Sequence, residues 1–144
     1  MIDKSGKWWV GETADDIDEY LIAYTEDDCI DIKSIRCNNC CCDRLYVRLD
    51  RNENVIQVVC PECKHKKTLL DCEEILKDTK PKAYHCPICK KRTTYYLKVG
   101  FMRRKNGNVK WVYIGEMCTE CNTLGSFIDW RINYEPTDEM EKNI

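Results

Sequence analysis

Four C-x-x-C pairs constrain the fold of this chain more than any other feature of its sequence. They are Cys37–Cys40, Cys60–Cys63, Cys86–Cys89 and Cys118–Cys121. The first two pairs are separated by 19 residues and the last two by 28. A tetrahedral Zn²⁺ takes four thiolates at about 2.3 Å, and a β-hairpin of this length returns one pair to another. The spacing predicts two tandem four-cysteine zinc ribbons and two Zn²⁺ per chain.

Composition and compartment favour metal over disulfides. The chain has 12 cysteines among 144 residues but only two Phe, and 33% of its residues are charged. Such a sequence offers a thin aliphatic core, so a further source of stability is expected. The start of the chain has no signal-peptide pattern and no segment is apolar enough for a membrane span. We therefore expect a cytoplasmic protein, in which thiols stay reduced and bind metal.

Three other interpretations of these cysteines exist. The C-P-x-C form of Cys60–Cys63 and Cys86–Cys89 also occurs in redox dithiols, but those normally stand alone beside a βαβ pattern. The knuckles resemble those of rubredoxin, so iron is an alternative to zinc. His65 and His85 lie near knuckles, yet neither is needed to complete a set of four ligands.

The heptapeptide CNNCCCD (37–43) holds four cysteines, of which two are expected to bind metal. Aligning the two ribbons places Cys41 directly after the knuckle, the position that Lys64 and Lys90 occupy elsewhere. Cys37 and Cys40 are then the ligands, with a Cys40–Cys42 pair as the alternative. Cys41 and Cys42 are left as surplus thiols. Two further cysteines are expected to be small buried side chains, Cys29 and Cys72.

Antiparallel hairpins follow the knuckles in both halves of the chain. In the second half, residues 94–102 and 109–115 are strand-like and flank a type I′ turn signal at Asn106-Gly107. Residues 126–134 alternate with a period of two, which predicts a third strand. In the first half, 45–50 and 55–59 are predicted to pair around a turn at 51–54.

An N-terminal amphipathic helix is predicted over residues 13–24. Thr13 with Asp16 makes a start like a capping box, and the apolar side chains follow an i, i+3, i+4, i+7 pattern: Ile17, Tyr20, Leu21 and Tyr24. A shorter helix is predicted over 72–77. The fold class is α+β, and five segments are predicted: an acidic helical segment (1–33), the first ribbon (34–77), a linker (78–85), the second ribbon (86–135) and an acidic C-terminal tail (136–144).

Charge is strongly segregated along the chain although the net charge is only −2. Residues 1–31 carry 10 acidic and two basic side chains, whereas residues 64–110 carry 14 basic and four acidic ones. The acidic set predicted to bind a basic protein partner is Asp15, Asp16, Asp18, Glu19, Glu26, Asp27 and Asp28. Such a field would steer a cationic partner, and part of it also serves the helix dipole.

Nucleic-acid binding by the second ribbon is the alternative function. Its predicted surface combines cations near the hairpin tip with aromatic side chains: Arg103, Arg104, Lys105, Lys110, Tyr96 and Trp111. A sequence pI of about 5.8 argues against general polyanion binding. Catalysis is not expected, because common catalytic motifs are missing from the sequence and two complete sets of four cysteines leave no open zinc position.

Two stretches carry a resemblance to a known family. Residues 8–27, beginning Trp8-Trp9-Val10-Gly11-Glu12, and residues 109–136 resemble small bacterial tandem zinc-ribbon proteins, which are loosely associated with immunity proteins that neutralise toxins. The resemblance implies a cytoplasmic protein that binds a protein partner, such as a basic nuclease toxin. It transfers no catalytic residues.

Overall fold

The computed structural model describes residues 2–26, 28, 31–72 and 79–144. The described elements are α1 (Asp16–Tyr24), β1 (Asp31–Ile35), β2 (Arg44–Asp50), β3 (Val55–Val59), β4 (Lys66–Thr68), β5 (Lys82–Ala83), β6 (Tyr95–Arg103), β7 (Val109–Cys118), β8 (Leu124–Arg131) and α2 (Asp138–Lys142). The fold is α+β, with one eight-stranded sheet in which each described pairing is antiparallel.

Strand β6 lies at the centre of this sheet. The sheet runs in the order β4-β3-β2-β6-β7-β8, with β1 also pairing with β6 and β5 with β2. Ile35 pairs with Leu97, and Leu45 pairs with Tyr95. Backbone hydrogen bonds therefore join strands of the first half of the chain to the second half.

The predicted hairpins of the second half are confirmed by β6 and β7. Between these strands, Gly107 has a φ of +91°, which a glycine adopts without the strain that a side chain would bring. The predicted alternation in β6 places Tyr95, Leu97 and Val99 in the core, and all three are buried. The opposite face of β6 is covered as well, because Lys98 is also buried there.

The third strand is shorter than predicted. Strand β8 ends at Arg131, and Ile128, Trp130 and Ile132 are buried as the period of two predicts. Tyr134 does not continue that face: its side chain is 43% exposed and its hydroxyl donates to Asp71 Oδ2 at 2.9 Å. The chain has left the sheet by this residue, so the prediction of a strand to residue 134 was wrong at its end.

The first half confirms the predicted β2–β3 hairpin and adds strands that the sequence did not indicate. Tyr46 pairs with Val59 and Asp50 with Val55, closing the turn at 51–54. Strand β4 then pairs with β3, and β1 pairs with β6. A helix was predicted over 72–77, and its residues 73–77 lie outside the described residues.

Helix α1 begins at Asp16, three residues later than predicted. The Asp16 carboxylate accepts hydrogen bonds from the backbone N–H groups of Glu12 and Thr13, at 2.7 and 3.2 Å. Ile17 and Leu21 are buried, whereas Tyr24 is 49% exposed. The Tyr24 ring lies at the edge of the predicted apolar face, 6.2 Å from the Tyr113 ring of β7. No helix within the described ranges is both long and apolar enough to cross a membrane.

The predicted acidic tail contains a short helix that packs on the sheet. Met140 of α2 is buried, and the backbone N–H of Val109 donates to Thr137 Oγ1 at 3.0 Å. The side-chain amides of Asn106 and Asn108 both donate to the carboxylate of Glu135. These contacts hold the C-terminal segment against the β6–β7 turn.

Candidate metal centres

The four C-x-x-C pairs fold into knuckles with the same backbone hydrogen bonds. In each knuckle, the N–H of the residue after the second cysteine donates to the carbonyl oxygen of the first cysteine, at 2.9–3.0 Å. The first cysteine's own N–H donates to the carbonyl oxygen five residues later, at 2.9–3.1 Å. Equal spacing has thus produced four equivalent turns, each directing two sulfur atoms to one side.

The residue after each knuckle has a left-handed backbone. The four φ angles are 63° at Cys41, 64° at Lys64, 63° at Lys90 and 57° at Asn122. This conformation is uncommon outside glycine and asparagine. It places Cys41 in the same role as Lys64 and Lys90, as the sequence alignment of the ribbons predicted.

The knuckles meet in two separate groups of four cysteines. The first group contains Cys37, Cys40, Cys60 and Cys63, and the second contains Cys86, Cys89, Cys118 and Cys121. Within each group all four sulfur atoms lie within 4.8 Å of one another. These are the eight cysteines that the spacing predicted, and each group can hold a metal ion.

Sulfur–sulfur distances match a tetrahedral metal site. Cys37 Sγ lies 3.5 Å from Cys63 Sγ, and the Cys40–Cys60 distance is 3.4 Å. In the second group the Cys86–Cys121 and Cys89–Cys118 distances are 3.7 and 3.9 Å. A tetrahedron with metal–sulfur bonds of about 2.3 Å has edges of about 3.8 Å. Disulfide bonds are excluded, since they need sulfur atoms about 2.05 Å apart.

Burial differs between the first and second cysteine of each knuckle. The four first cysteines belong to the core and are at most 4% exposed: Cys37, Cys60, Cys86 and Cys118. The second cysteines are half-buried in three knuckles, and Cys40 is exposed. Each group therefore lies at the edge of the core, with two ligands buried and two nearer the surface.

Local hydrogen bonds prepare one thiol in each group for ionisation. The Asn39 side chain and the backbone of His65 lower the pKa of Cys63 to about 6. Burial opposes ionisation of Cys121, but hydrogen bonds from the side chain and backbone of Thr123 outweigh it and lower its pKa to about 7. Burial raises the pKa of Cys118 to about 12. Since metal binds thiolates, loading of the second group must release protons.

The remaining described cysteines lie outside both groups. Cys41 is exposed, and the half-buried Cys42 thiol donates to the Arg44 carbonyl oxygen at 3.3 Å. The alternative Cys40–Cys42 pairing is not adopted, because Cys40 joins Cys60 and Cys63 instead. Cys72 is buried, as expected, and its thiol donates to the Asn54 carbonyl oxygen at 3.3 Å. The prediction for Cys29 falls outside the described residues.

The predicted acidic surface is divided between internal contacts and exposed side chains. Both Asp15 and Asp18 form ion pairs with the buried Lys98, and Asp16 holds the start of α1. Glu19 lies 3.4 Å from Lys4. Of the remaining predicted acids, Glu26 and Asp28 are exposed, and Asp27 lies outside the described residues.

The two arginines of the predicted nucleic-acid surface make internal contacts. Arg103 pairs with Asp31 and with Glu141, the latter at 2.7 Å. Arg104 donates to the carbonyl oxygens of Val109 and Ile132, at 2.7 and 2.8 Å. These bonds connect the tip of the β6–β7 hairpin to β1, to α2 and to the residue that follows β8.

The other four members of that surface differ in exposure. Lys105 and Lys110 are exposed, and Tyr96 is half-buried. Trp111 is half-buried, and its indole N–H donates to Asp129 Oδ1 at 3.0 Å. The structure therefore leaves the two lysines as the exposed cations of this set.

Sequence reasoning missed one buried acid near the second metal centre. Glu116 lies in β7, two residues before Cys118, and is 7% exposed. Its Oε1 accepts a hydrogen bond from the Tyr84 hydroxyl at 3.1 Å. The signal in the sequence is a single acid inside the otherwise apolar strand 112–118.

Comparison of the chain with protein-family models, curated proteins and solved structures gave no match. The geometry of the two metal centres and of the surface around them therefore carries the functional argument.

Proposed function

We propose that this protein is a non-enzymatic zinc protein that binds a protein partner. In this proposal both four-cysteine groups hold Zn²⁺, and the fold is an N-terminal amphipathic helix on two tandem zinc ribbons with rubredoxin-like knuckles. Four thiolates in a tetrahedral arrangement are the usual ligands of structural zinc. Iron binds the same ligand set, and zinc is the default for paired knuckles of this kind.

A structural role for zinc follows from the ligand count. A catalytic zinc keeps one coordination position open for water or substrate. Each group here offers four cysteine sulfurs to one ion, so a bound metal would be fully coordinated. The metal would then fix the positions of the knuckles and of the strands that leave them.

The observation that carries partner binding is an exposed apolar surface beside α1, formed by Trp8 and Tyr24, which line one groove. They are 53% and 49% exposed. The exposed acids Glu26 and Asp28 follow α1 directly in the chain. Aromatic anchors surrounded by charge are typical of protein interfaces. A partner with a basic rim and an apolar centre would complement this α1 surface.

The sharpest form of the proposal is an immunity protein that covers the cationic active site of a toxin such as a nuclease. Acidic side chains near an interface accelerate association with a basic protein and select against acidic ones. Binding through the α1 surface would block access of the toxin's polyanionic substrate. The resemblance to small tandem-ribbon proteins leads to the same expectation.

Nucleic-acid binding has less support from the structure. Arg103 and Arg104 are held by carboxylates and carbonyl oxygens of the chain itself, which leaves fewer cations for phosphate groups. Lys105 and Lys110 alone would supply a weak, salt-sensitive contact.

The test is binding of the zinc-loaded protein to a basic protein encoded by a neighbouring gene, measured by isothermal titration calorimetry. Tyr24→Ala combined with Asp28→Lys should raise the Kd at least tenfold, which corresponds to a loss of about 1.4 kcal/mol of binding free energy. The matched control is Glu139→Lys, which changes an exposed acid on α2. Unchanged affinity in the first variant, or strong salt-sensitive retention on DNA-cellulose with no binding of the basic protein, would contradict the proposal.

A further inference from the structure

Strand β8 forms one end of the sheet, and most of its outer edge has no partner among the described residues. Four strands pair with a single described neighbour, β1, β4, β5 and β8, and β8 is the longest of them. Its outer edge is covered at the start, where the Leu124 N–H donates to the Trp9 carbonyl oxygen at 2.8 Å. An uncovered edge presents N–H and C=O groups that can pair with another strand.

The hydrogen bonds to β7 show which residues of β8 face outward. Directly after the strand, the Ile132 N–H donates to the Lys110 carbonyl oxygen at 2.9 Å. Backbone groups alternate in direction along an antiparallel strand, so Asp129 and Arg131 direct their N–H and C=O groups away from β7. Nearer the start of β8 the register shifts, and Phe127 has no paired residue in β7. The open edge is therefore centred on Asp129 and Arg131.

Asp129 and Arg131 carry opposite charges on the same face of the sheet. Arg131 is exposed and forms no ion pair within the part of the chain that the structure describes. The half-buried Asp129 accepts a hydrogen bond from the Trp111 indole N–H at 3.0 Å, and a carboxylate has room for further donors. The edge therefore offers both members of an ion pair, two residues apart, to an approaching strand.

Antiparallel pairing of β8 with a second β8 matches these charges in one register. With Trp130 on the two-fold axis, Asp129 of one copy lies directly opposite Arg131 of the other, and the axis repeats the pair. A shift of the axis to Asp129 or to Arg131 places like charges directly opposite each other, which is destabilising. The charges of the edge therefore select a second copy of this chain and one register.

We propose that this protein forms a two-fold symmetric dimer by antiparallel pairing of two β8 edges, in which Asp129 of each copy pairs with Arg131 of the other. The backbone groups of both residues exchange hydrogen bonds across the new strand pair, and the two sheets become continuous. Such an interface closes after two copies. Its short length predicts a reversible dimer. The inference goes beyond the proposed function, because it uses the edge of the sheet and not the groove beside α1.

Sedimentation equilibrium of the zinc-loaded protein tests whether the dimer forms. Over a range of about 5 to 500 µM the average mass should rise from one chain towards two, with a Kd on the order of 100 µM for so short an interface. A protein that stays monomeric at about 500 µM, or that assembles beyond two copies, would overturn the proposal.

An exchange of charges tests the register. Asp129→Arg and Arg131→Asp each place like charges opposite each other, so each variant alone should dimerise at least tenfold more weakly than the unmodified protein. In an equal mixture, arginine again lies opposite aspartate at both positions, and a heterodimer should form. The matched control is Lys105→Asp, which makes the same change of charge at an exposed residue of the β6–β7 turn and should dimerise normally.

Arg131→Asp alters an exposed side chain, which keeps the test usable if Asp129→Arg loses the bond to Trp111 and fails to fold. An unchanged Kd in Arg131→Asp would overturn the proposal. So would a mixture of the two variants that stays monomeric while both are folded and hold zinc.

Amide hydrogen exchange followed by NMR locates the interface without any substitution. The amides of Asp129 and Arg131 should exchange more slowly at high protein concentration than at low, because dimerisation pairs them. The Trp130 amide faces β7 and should be protected at both concentrations. A dimer in which the Asp129 and Arg131 amides exchange equally fast at both concentrations would use another surface, and the β8 edge would be wrong.

Discussion

At the scale of single residues, the left-handed position after each knuckle shows how backbone geometry serves the metal centres. A positive φ at Cys41, Lys64, Lys90 and Asn122 closes the turn so that the N–H of this residue reaches the first cysteine's carbonyl oxygen. A residue with a Cβ is strained in this conformation by about 1 kcal/mol. Three of the four positions hold a residue other than glycine or asparagine, so strain is present in this chain.

Replacing one of these residues by glycine should stabilise the protein. Lys90→Gly removes the clash of the Cβ at a φ of 63°, and the expected gain in the free energy of unfolding is up to about 1 kcal/mol, reduced by the greater entropy of glycine in the unfolded chain. Lys90→Val should have the opposite effect, because β-branched residues tolerate this conformation poorly. Chemical denaturation of the zinc-loaded protein measures both changes.

The control for this prediction is Lys91→Gly. Lys91 is exposed like Lys90 but is not among the described residues with a positive φ. Here glycine should lower stability by roughly 0.5–1 kcal/mol through unfolded-state entropy, with a small further loss from the exposed ion pair of Lys91 with Glu120. An equal loss of stability in Lys90→Gly and Lys91→Gly would show that the left-handed backbone carries no strain.

At the scale of elements, α1 is held on the sheet by close packing against a glycine of β7. A Cβ built at Gly115 would lie 2.7 Å from Ile17 Cγ2 and 2.9 Å from Leu21 side-chain carbons. Ile17 and Leu21 are the two fully buried residues of α1. The helix can therefore reach the sheet only because this position has no side chain.

Gly115→Ala should loosen this contact and destabilise the protein by about 1–3 kcal/mol, the usual range for overpacking a core. Thermal unfolding followed by circular dichroism measures the loss. Gly6→Ala is the control, since a Cβ there meets only the Trp8 carbonyl oxygen at an ordinary 3.6 Å. If both variants unfold at the temperature of the unmodified protein, α1 does not depend on the approach at Gly115.

Helix α2 is linked to the sheet by an ion pair that responds to pH. Hydrogen bonding to Arg103 lowers the pKa of Glu141 below its ordinary 4.5. A carboxylate with a depressed pKa in the folded state contributes stability above its unfolded pKa, and this contribution is lost as pH falls through the folded pKa. Stability should therefore decrease as the pH is lowered below about 4.5.

Glu141→Gln should flatten this part of the stability profile between about pH 5 and pH 3. Denaturation midpoints at a series of pH values provide the measurement. Glu139→Gln removes a carboxylate of the same helix whose side chain is 96% exposed, and it should leave the profile unchanged. A profile that keeps its slope in Glu141→Gln would mean that other carboxylates dominate the acid transition.

The sequence predicted those elements whose cause is local. The hairpins β2–β3 and β6–β7 have alternating apolar residues and turn signals within their own segments, and both are present. Strand β1 has the mixed sequence DIKSI and becomes a strand by pairing with β6, about 65 residues away along the chain. Helix α2 depends likewise on contacts with Arg103 and Val109. Such long-range contacts leave no local pattern.

At the scale of the whole molecule, part of the segregated charge is paired within the protein. The N-terminal acids pair with Lys98, and Arg103 bridges β1 and α2. A buried lysine is retained only when its charge is compensated, which two aspartates do here. The charge pattern alone indicated two binding surfaces, and it could not show this pairing because the topology that brings residues 15–18 to β6 is not visible in the sequence.

The metal centres were predicted more completely than the partner surface because their cause is the chemistry of one ion. One tetrahedral ion needs four ligands at fixed distances, and two C-x-x-C knuckles supply them. The spacing of the cysteines in the sequence therefore predicts the metal sites directly. The partner surface arises instead from residues of separate segments, among them Trp8, Tyr24 and Leu124. No spacing rule joins such residues before the sheet and α1 are in place.

The metal centres also belong to the core of the molecule. Four of the eight cysteines in the two groups pack within the main hydrophobic cluster, which extends from β1 to α2. Because this cluster is shared by both halves of the chain, loss of either metal should affect the whole sheet.

The central claim is that two Zn²⁺ ions hold this fold, and native mass spectrometry of the protein purified without chelator tests it most directly. The protein should carry two zinc ions per chain, and Cys60→Ser and Cys118→Ser should each carry one. Cys41→Ser, which changes an exposed cysteine outside both groups, should still carry two. Fewer than two zinc ions in the unmodified chain, or loss of zinc in Cys41→Ser, would contradict the account.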